Sequence, residues 1–148
     1  MTGRDLLGET EQFLHQQIPL SRAMGVNVEG YDGKQLVLTA PLPLNHNHLG
    51  TAFGGSLSAI ATLAGYALLW LELDDRECHI VISKSSISFR RPVEGIIRAV
   101  CHRPGDAALA GFKKKFALKG KAQIRLTVTI GEEGRTAVDF EGIYVAKK

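Results

Sequence analysis

The residues best suited to chemistry lie close together. Asn45-His46-Asn47-His48 is a polar loop, and soon after it Gly54-Gly55-Ser56 opens a long apolar segment. The two histidines titrate near neutrality and invite an acid–base reading. An exposed loop pair is the better account of them, and no third ligand stands nearby to make a metal site. Asn45 offers an amide that could donate to or orient a substrate, against the ordinary use of Asn to bond its own backbone in a turn. Ser56 offers a hydroxyl, against the ordinary use of Ser as a helix cap. Thr51 offers a second hydroxyl. Cys78 and Cys101 are the only cysteines, without metal spacing or a CxxC pairing. Both fall in expected strands and read as buried thiols of a reducing compartment. The densest positive charge is Lys113-Lys114-Lys115 with Lys119, Lys121 and Arg125. That cluster is either a solvated face or a dock for an acidic partner.

The elements that must position these groups follow from pattern and punctuation. Leu49–Leu71 carries no charge, and from Ser56 onward it reads as one helix. Its length could span a bilayer. Gly54, Gly55, Gly65, Ser56, Ser58 and Thr62 dilute its apolar character, and no Lys/Arg cluster sits beside it to orient insertion. A soluble helix buried on most sides is the better reading. Before it, Thr2-Gly3-Arg4-Asp5 has the form of a capping box, opening a helix over 3–17 that Pro19 stops. Leu20–Met24 adds a short turn. Asp32-Gly33 marks a hairpin, with Gln35–Ala40 as the return strand. Beyond the long helix come strands over His79–Phe89, Ile96–His102, Gln123–Ile130 and Thr136–Val145. Asp106–Leu118 reads as a short helix with an ambiguous end. Meander connections call for an antiparallel sheet. One sheet beside one nearly all-apolar helix calls for an α+β domain in which the sheet wraps that helix. The second strand then neighbours a later one, because the helix interrupts the meander.

Bulk properties agree with a single domain over 1–148. The chain has 148 residues, 45% hydrophobic and 22% charged, with a net charge of +3. That charge is too small to imply nucleic acid on its own, and few aromatics interleave with the lysines as a single-strand platform requires. The N-terminus lacks an apolar signal region, so a cytoplasmic protein is expected.

Asn47-x-x-Gly50-Thr51-x-Phe53-Gly54-Gly55, followed by a long apolar helix, resembles the hot-dog fold of thioesterases and acyl-carrier dehydratases. SISFRRPVEG over 86–95 matches that superfamily's strand ending in an aromatic-x-Arg-Pro turn. Within it the segment GTAFGGSLSAIATLAGYALLWL is most similar to thioesterase-like proteins of the YiiD C-terminal type. Members of that subgroup are assigned malonyl-acyl-carrier-protein decarboxylase activity, supplying acetyl thioester to start fatty-acid synthesis. The resemblance implies a homo-oligomer, dimer or tetramer, with each site at a subunit interface. There Ser83, Lys84, Ser85 and Ser86 of one copy would face the helix start of the other. It implies no resident cofactor and no metal, since the phosphopantetheine arrives with the substrate, either an acyl-carrier-protein or a coenzyme A thioester. Arg90 and Arg91 are candidates to meet that arm, and Lys113, Lys114, Lys115, Lys119 and Lys121 to dock the carrier protein.

Two departures from the pattern redirect the chemistry. Many hot-dog thioesterases have His-Gly-Gly where this chain has Phe53-Gly54-Gly55. They also carry an Asp or Glu on the helix, at a position that falls on Thr62 here. Thr62 cannot act as a general base, so water activation loses its usual agent. What remains is a glycine-lined helix start with free N–H groups that can polarise a thioester carbonyl. Decarboxylation of a β-carboxy thioester needs no base. It needs donors on the oxygen that becomes an enolate and an apolar lining near the carboxylate. The expected donors are the Gly55 or Ser56 backbone and the Asn45 amide, with the Ser56 or Thr51 hydroxyl moving a proton. Phe53, Gly54, Thr62 and His48 would line the substrate. The alternative is a thioesterase with Asn45 or His48 holding water, and a third reading is a non-catalytic binder of acyl thioesters.

Overall fold

The computed structural model describes residues 3–132 and 134–148. Two helices, α1 (Gly3–Gln17) and α2 (Pro19–Ala23), lead into β1 (Asn27–Tyr31) and β2 (Gln35–Ala40). A 3₁₀ turn (Leu42–Leu44) precedes the long helix α3 (Gly54–Leu73). Then come β3 (His79–Phe89), β4 (Ile97–His102), helix α4 (Asp106–Lys119), β5 (Lys121–Glu132) and β6 (Arg135–Lys147). The strands form one six-stranded sheet in the order β1-β2-β4-β5-β6-β3, every pair antiparallel. The α+β class and the sheet around one helix are as the residue pattern predicts, and β4 does follow β2 in space. Several strand and helix ends shift by one or two residues, and two helices differ in ways that matter. The long helix starts at Gly54 rather than Ser56, because Phe53 with extended angles (φ −67°, ψ 134°) is its N-cap. The segment after Pro104 is a full 14-residue helix, ended by Gly120 at φ 74°. The capping box at Thr2 lies outside the described residues.

Alternation along the strands decides which face meets α3. In β5, Ala122, Ile124, Leu126, Val128 and Ile130 are buried, whereas Lys121, Gln123, Arg125 and Thr127 are exposed. A period of two sends alternate side chains to opposite faces, so the inward set lies under the helix. The long helix passes the length and apolarity test for a membrane span, yet it lies in the core. Ile60, Ala61, Ala64, Ala67, Leu68 and Leu69 are fully buried. The approach is closest at Gly65. A Cβ there would sit 2.3 Å from Tyr144 Oη. Tyr144 is buried and donates its hydroxyl to Thr62 O at 2.8 Å, and burial pushes its phenol well above the usual range.

The far end of α3 is tied down by charge. Glu72, whose side chain is only 7% exposed, accepts from Arg103 Nε and Lys113 Nζ, each at 3.0 Å. Helix α1 covers the same half: Phe13 stacks on Trp70 with ring centroids 4.6 Å apart. Glu11 Oε1 accepts from Val28 N at 2.8 Å, tying α1 to the first strand.

The two cysteines differ. Cys101 is fully buried in β4, and burial pushes its thiol up to about 12. Cys78 is not in a strand as expected. It sits in the turn before β3, half-buried, with its thiol on Asp75 O at 3.2 Å. A thiol reacts as its thiolate. At mildly alkaline pH, native protein treated with iodoacetamide should therefore carry label at Cys78 alone, and Cys101 should react only after denaturation. Peptide mapping by mass spectrometry checks this, and rapid labelling of native Cys101 would contradict the packing of β4.

Candidate functional site

The loop before α3 is built by two asparagines. Asn45 is 3% exposed. Its Nδ2 donates to Met24 O at 2.9 Å and to Pro41 O at 2.8 Å. Both amide hydrogens are therefore committed to the backbone, and its Oδ1 has no partner among the described residues. The role expected of Asn45 as a donor to substrate is corrected: it shapes the loop, and its own carbonyl receives the Phe53 N–H at 2.8 Å. Asn47, which the sequence reading left without a role, is the second organiser. Its Oδ1 accepts from Leu49 N (2.8 Å) and Thr51 N (3.2 Å), and its Nδ2 donates to Thr51 Oγ1 (2.9 Å). Gly50 at φ 80° closes that turn. An Asn followed by a glycine turn was the available signal, since Asn readily bonds backbone two residues on. Ala52 N–H on Val93 O (2.9 Å) then pins the loop to the segment after β3.

This loop delivers a helix start without a side-chain cap. Phe53 provides no side-chain cap, and the first helical bond runs from Leu57 N to Phe53 O at 3.0 Å. The N–H groups of Gly54, Gly55 and Ser56 have no partner among the described residues. Unpaired donors at a helix N-terminus, with the dipole behind them, favour an oxygen bearing negative charge. Ser56 lies inside the first turn, so it is not the cap that Ser often provides. Its hydroxyl is half-buried and bonded to no described group. The Phe53 ring folds across Gly55, where a Cβ would come within 2.4 Å of it, and Phe89 at the end of β3 lies 3.7 Å from a Cβ built on Gly54.

Hollows open on both sides of these donors. One, of about 400 Å³, is mixed in character and lies between Asn47, Thr51, Gly54, Leu57, Phe89 and Arg91. The other, also about 400 Å³, runs along the outer stripe of α3 through Gly55, Ser58, Ala59, Thr62, Leu63 and Tyr66, flanked by Ile18 and Leu20. It is almost wholly apolar. The Thr62 hydroxyl bonds back to Ser58 O at 2.9 Å. Among the groove's lining residues Tyr66 alone is titratable, and burial raises its phenol, so it stays neutral. No carboxylate or imidazole lines either hollow. Tyr66, Ser58, Ala59 and Phe89 were not singled out beforehand; helical spacing of residues 55, 59, 62 and 66 was the signal for the groove.

Other candidates are dispersed. Gly54, Gly55, Ser56, Thr51, Phe53 and Thr62 do come together. His48 is exposed on the loop, outside both hollows, and His46 Nδ1 pairs with Asn47 O at 2.8 Å. Ser83, Lys84, Ser85 and Ser86 lie exposed along β3, and within one chain Phe89 rather than these residues meets the helix start. Arg90 pairs with Asp139 and Arg91 Nε donates to Thr136 O at 3.2 Å. The lysines of α4 stand at the opposite end of α3, with Lys113 already on Glu72. One chain therefore does not unite Arg90 and Arg91 with that cluster. No group of three or more His, Cys, Asp and Glu side chains suited to a metal ion occurs among the described residues.

The same fold occurs in solved structures. A protein of unknown function from Chlorobaculum tepidum is 36% identical, with a TM-score of 0.92 over 99% of this chain and 97% of that one. The putative thioesterase of Shewanella oneidensis is 28% identical, with a TM-score of 0.87 over 98% and 99%. A probable thioesterase of Pseudomonas aeruginosa shares the fold at 22% identity, with a TM-score of 0.81 over 95% and 94%. Residues 7–148 match the family described as "Putative thioesterase (yiiD_Cterm)", and the chain, a hot-dog domain acting on thioesters, belongs to that family.

Proposed function

We propose that this protein decarboxylates malonyl thioesters, releasing CO₂ and an acetyl thioester. One observation carries the reading: three unpartnered N–H groups at the start of α3 open beside an apolar groove lined by no carboxylate or imidazole. The thioester oxygen accepts from these donors. The bond to the carboxylate breaks, its electron pair passes into the enolate, and the N–H groups hold the growing negative charge. A carboxylate lying against Ala59 and Leu63 is poorly solvated, and that destabilises it relative to the charge-shifted transition state. The Ser56 hydroxyl hands a proton to the resulting carbon, with solvent replacing it. Phosphopantetheine approaches through the mixed hollow beside Arg91.

Thioester hydrolysis is the second reading, favoured by the family's description and by the Shewanella relative. Its weakness is the missing base: Thr62 stands where the carboxylate is expected, and Asn45 has no free amide hydrogen. Among the described residues no strand lies beyond the edge of β3, while Val81 and Phe89 are 58% and 53% exposed along it. An open edge of that length is a template for a second copy, which supports a homodimer. The test is to incubate the protein with malonyl-acyl carrier protein and malonyl-coenzyme A and weigh the products. Acetyl thioester is the expected result. Free thiol with malonate would replace decarboxylation by hydrolysis.

A further inference from the structure

The apolar groove is larger than a malonyl group requires. It extends from Gly55 to Tyr66, roughly 16 Å along the helix at the usual rise per residue. Its volume of about 400 Å³ has room for roughly a dozen groups of a water's size, at about 30 Å³ each. A malonyl group places only a methylene and a carboxylate beyond its carbonyl. Held with that carboxylate against Ala59 and Leu63, it leaves the stretch past Thr62, between Leu20 and Tyr66, unfilled. The surface there suits carbon. The Thr62 hydroxyl is turned back to Ser58 O at 2.9 Å, and the Tyr66 phenol stays neutral. Leu20 beside it is 55% exposed. Contiguous apolar surface left open to water marks a binding groove.

We propose that the substrates include 2-alkylmalonyl thioesters whose alkyl branch lies in this groove, and that loss of CO₂ from them gives acyl thioesters extended by that branch. The inference rests on the decarboxylase reading above and names its substrate class. Connectivity fixes where the branch goes. The thioester oxygen sits on the N–H groups of Gly54, Gly55 and Ser56 at the head of the groove, so the α-carbon stands at its mouth. Electrons of the breaking bond pass into the carbonyl only when that bond stands across the carbonyl plane. The carboxylate therefore turns against Ala59 and Leu63, and the other large substituent of the α-carbon lies along α3 toward Thr62 and Tyr66. The bond between α-carbon and carboxylate breaks, its electron pair forms the enolate, and one proton returns to the α-carbon. An unbranched acyl thioester also fits the groove, but it has no carboxylate to lose. Its hydrolysis requires a base, and no carboxylate or imidazole lines the groove. The carboxylate seat and the groove are not interchangeable, so one configuration at the α-carbon is accepted.

The test measures kcat/KM for malonyl, methylmalonyl, ethylmalonyl and butylmalonyl thioesters, each on coenzyme A and on acyl carrier protein, with CO₂ release and product mass as readouts. A rise of about threefold per branch carbon is expected, carried by KM and slightly less than full burial of a methylene supplies. One enantiomer of each racemic substrate should be left over. Thr62→Phe fills the groove beyond the carboxylate seat and should lower the butylmalonyl-to-malonyl ratio of kcat/KM by at least about tenfold. Tyr66→Ala lengthens the groove and should raise that ratio. A ratio taken within one variant does not depend on how much of the protein is folded. Turnover of malonyl with the branched thioesters ignored, or a ratio unmoved by Thr62→Phe, would overturn the branch site and leave the decarboxylase reading standing. Free thiol released from octanoyl-coenzyme A faster than CO₂ from any branched substrate would give the groove to a hydrolysed chain and overturn the branch site as well. No CO₂ from any of these thioesters would overturn both readings.

Discussion

Replacing Gly54 with proline is expected to lower kcat for the malonyl thioester by about a hundredfold without unfolding the protein, the usual loss when one preorganised donor is deleted. Proline removes the backbone N–H and nothing else of consequence at this position. Gly54 is the first residue of α3, where proline's fixed φ suits the helix and its missing hydrogen interrupts no bond. The residue before it, Phe53, already has the extended angles that a following proline demands. The space is also adequate, since a Cβ on Gly54 meets only the Phe89 ring at ordinary contact distance. The companion variant Ser56→Ala keeps its N–H and deletes the hydroxyl, which separates the role of the backbone donors from that of the proton donor. Steady-state kinetics with a thermal melt on each variant decide the matter. A folded Gly54→Pro protein with undiminished kcat would remove the helix start from the mechanism.

The largest expected stability effect lies in the middle of the same helix. Gly65→Ala should cost roughly 3 kcal/mol, combining overpacking with loss of a buried hydrogen bond, and lower Tm by about 10 °C for a domain of this size. The added methyl would meet Tyr144 Oη at 2.3 Å and Cζ at 2.4 Å. Tyr144 is 1% exposed and has no room to retreat without leaving Thr62 O. The Tyr144→Leu exchange in the Gly65→Ala background should restore part of the loss, so the double variant should be more stable than the sum of the single changes predicts. Denaturant unfolding measures this. A Gly65→Ala protein as stable as the wild type would mean that α3 does not press on β6 as described.

Much of the architecture is written in residue order. Period-two alternation in Gln123–Ile130, the Asp32-Gly33 hairpin and the uncharged run to Leu71 require strands on either side of one buried helix. Local chemistry specifies them, and local chemistry is what a sequence displays directly. The Gly54-Gly55-Ser56 opening of the helix was legible for the same reason, whereas the missing carboxylate at Thr62 was legible only through the resemblance to hot-dog thioesterases. Three matters waited for the tertiary structure. Asn45 looks like a free donor until Met24 O and Pro41 O, brought from elsewhere in the chain, take both of its hydrogens. Ser56 looks like a cap until Phe53 is seen to occupy that position. The basic residues look like one dock until the ion pair of Lys113 with Glu72 sets α4 at the far end of α3 from Arg90 and Arg91. In each case the deciding partner is distant in sequence or is set by where the helix begins, and long-range packing and charge pairing, rather than residue type, assign the group its work.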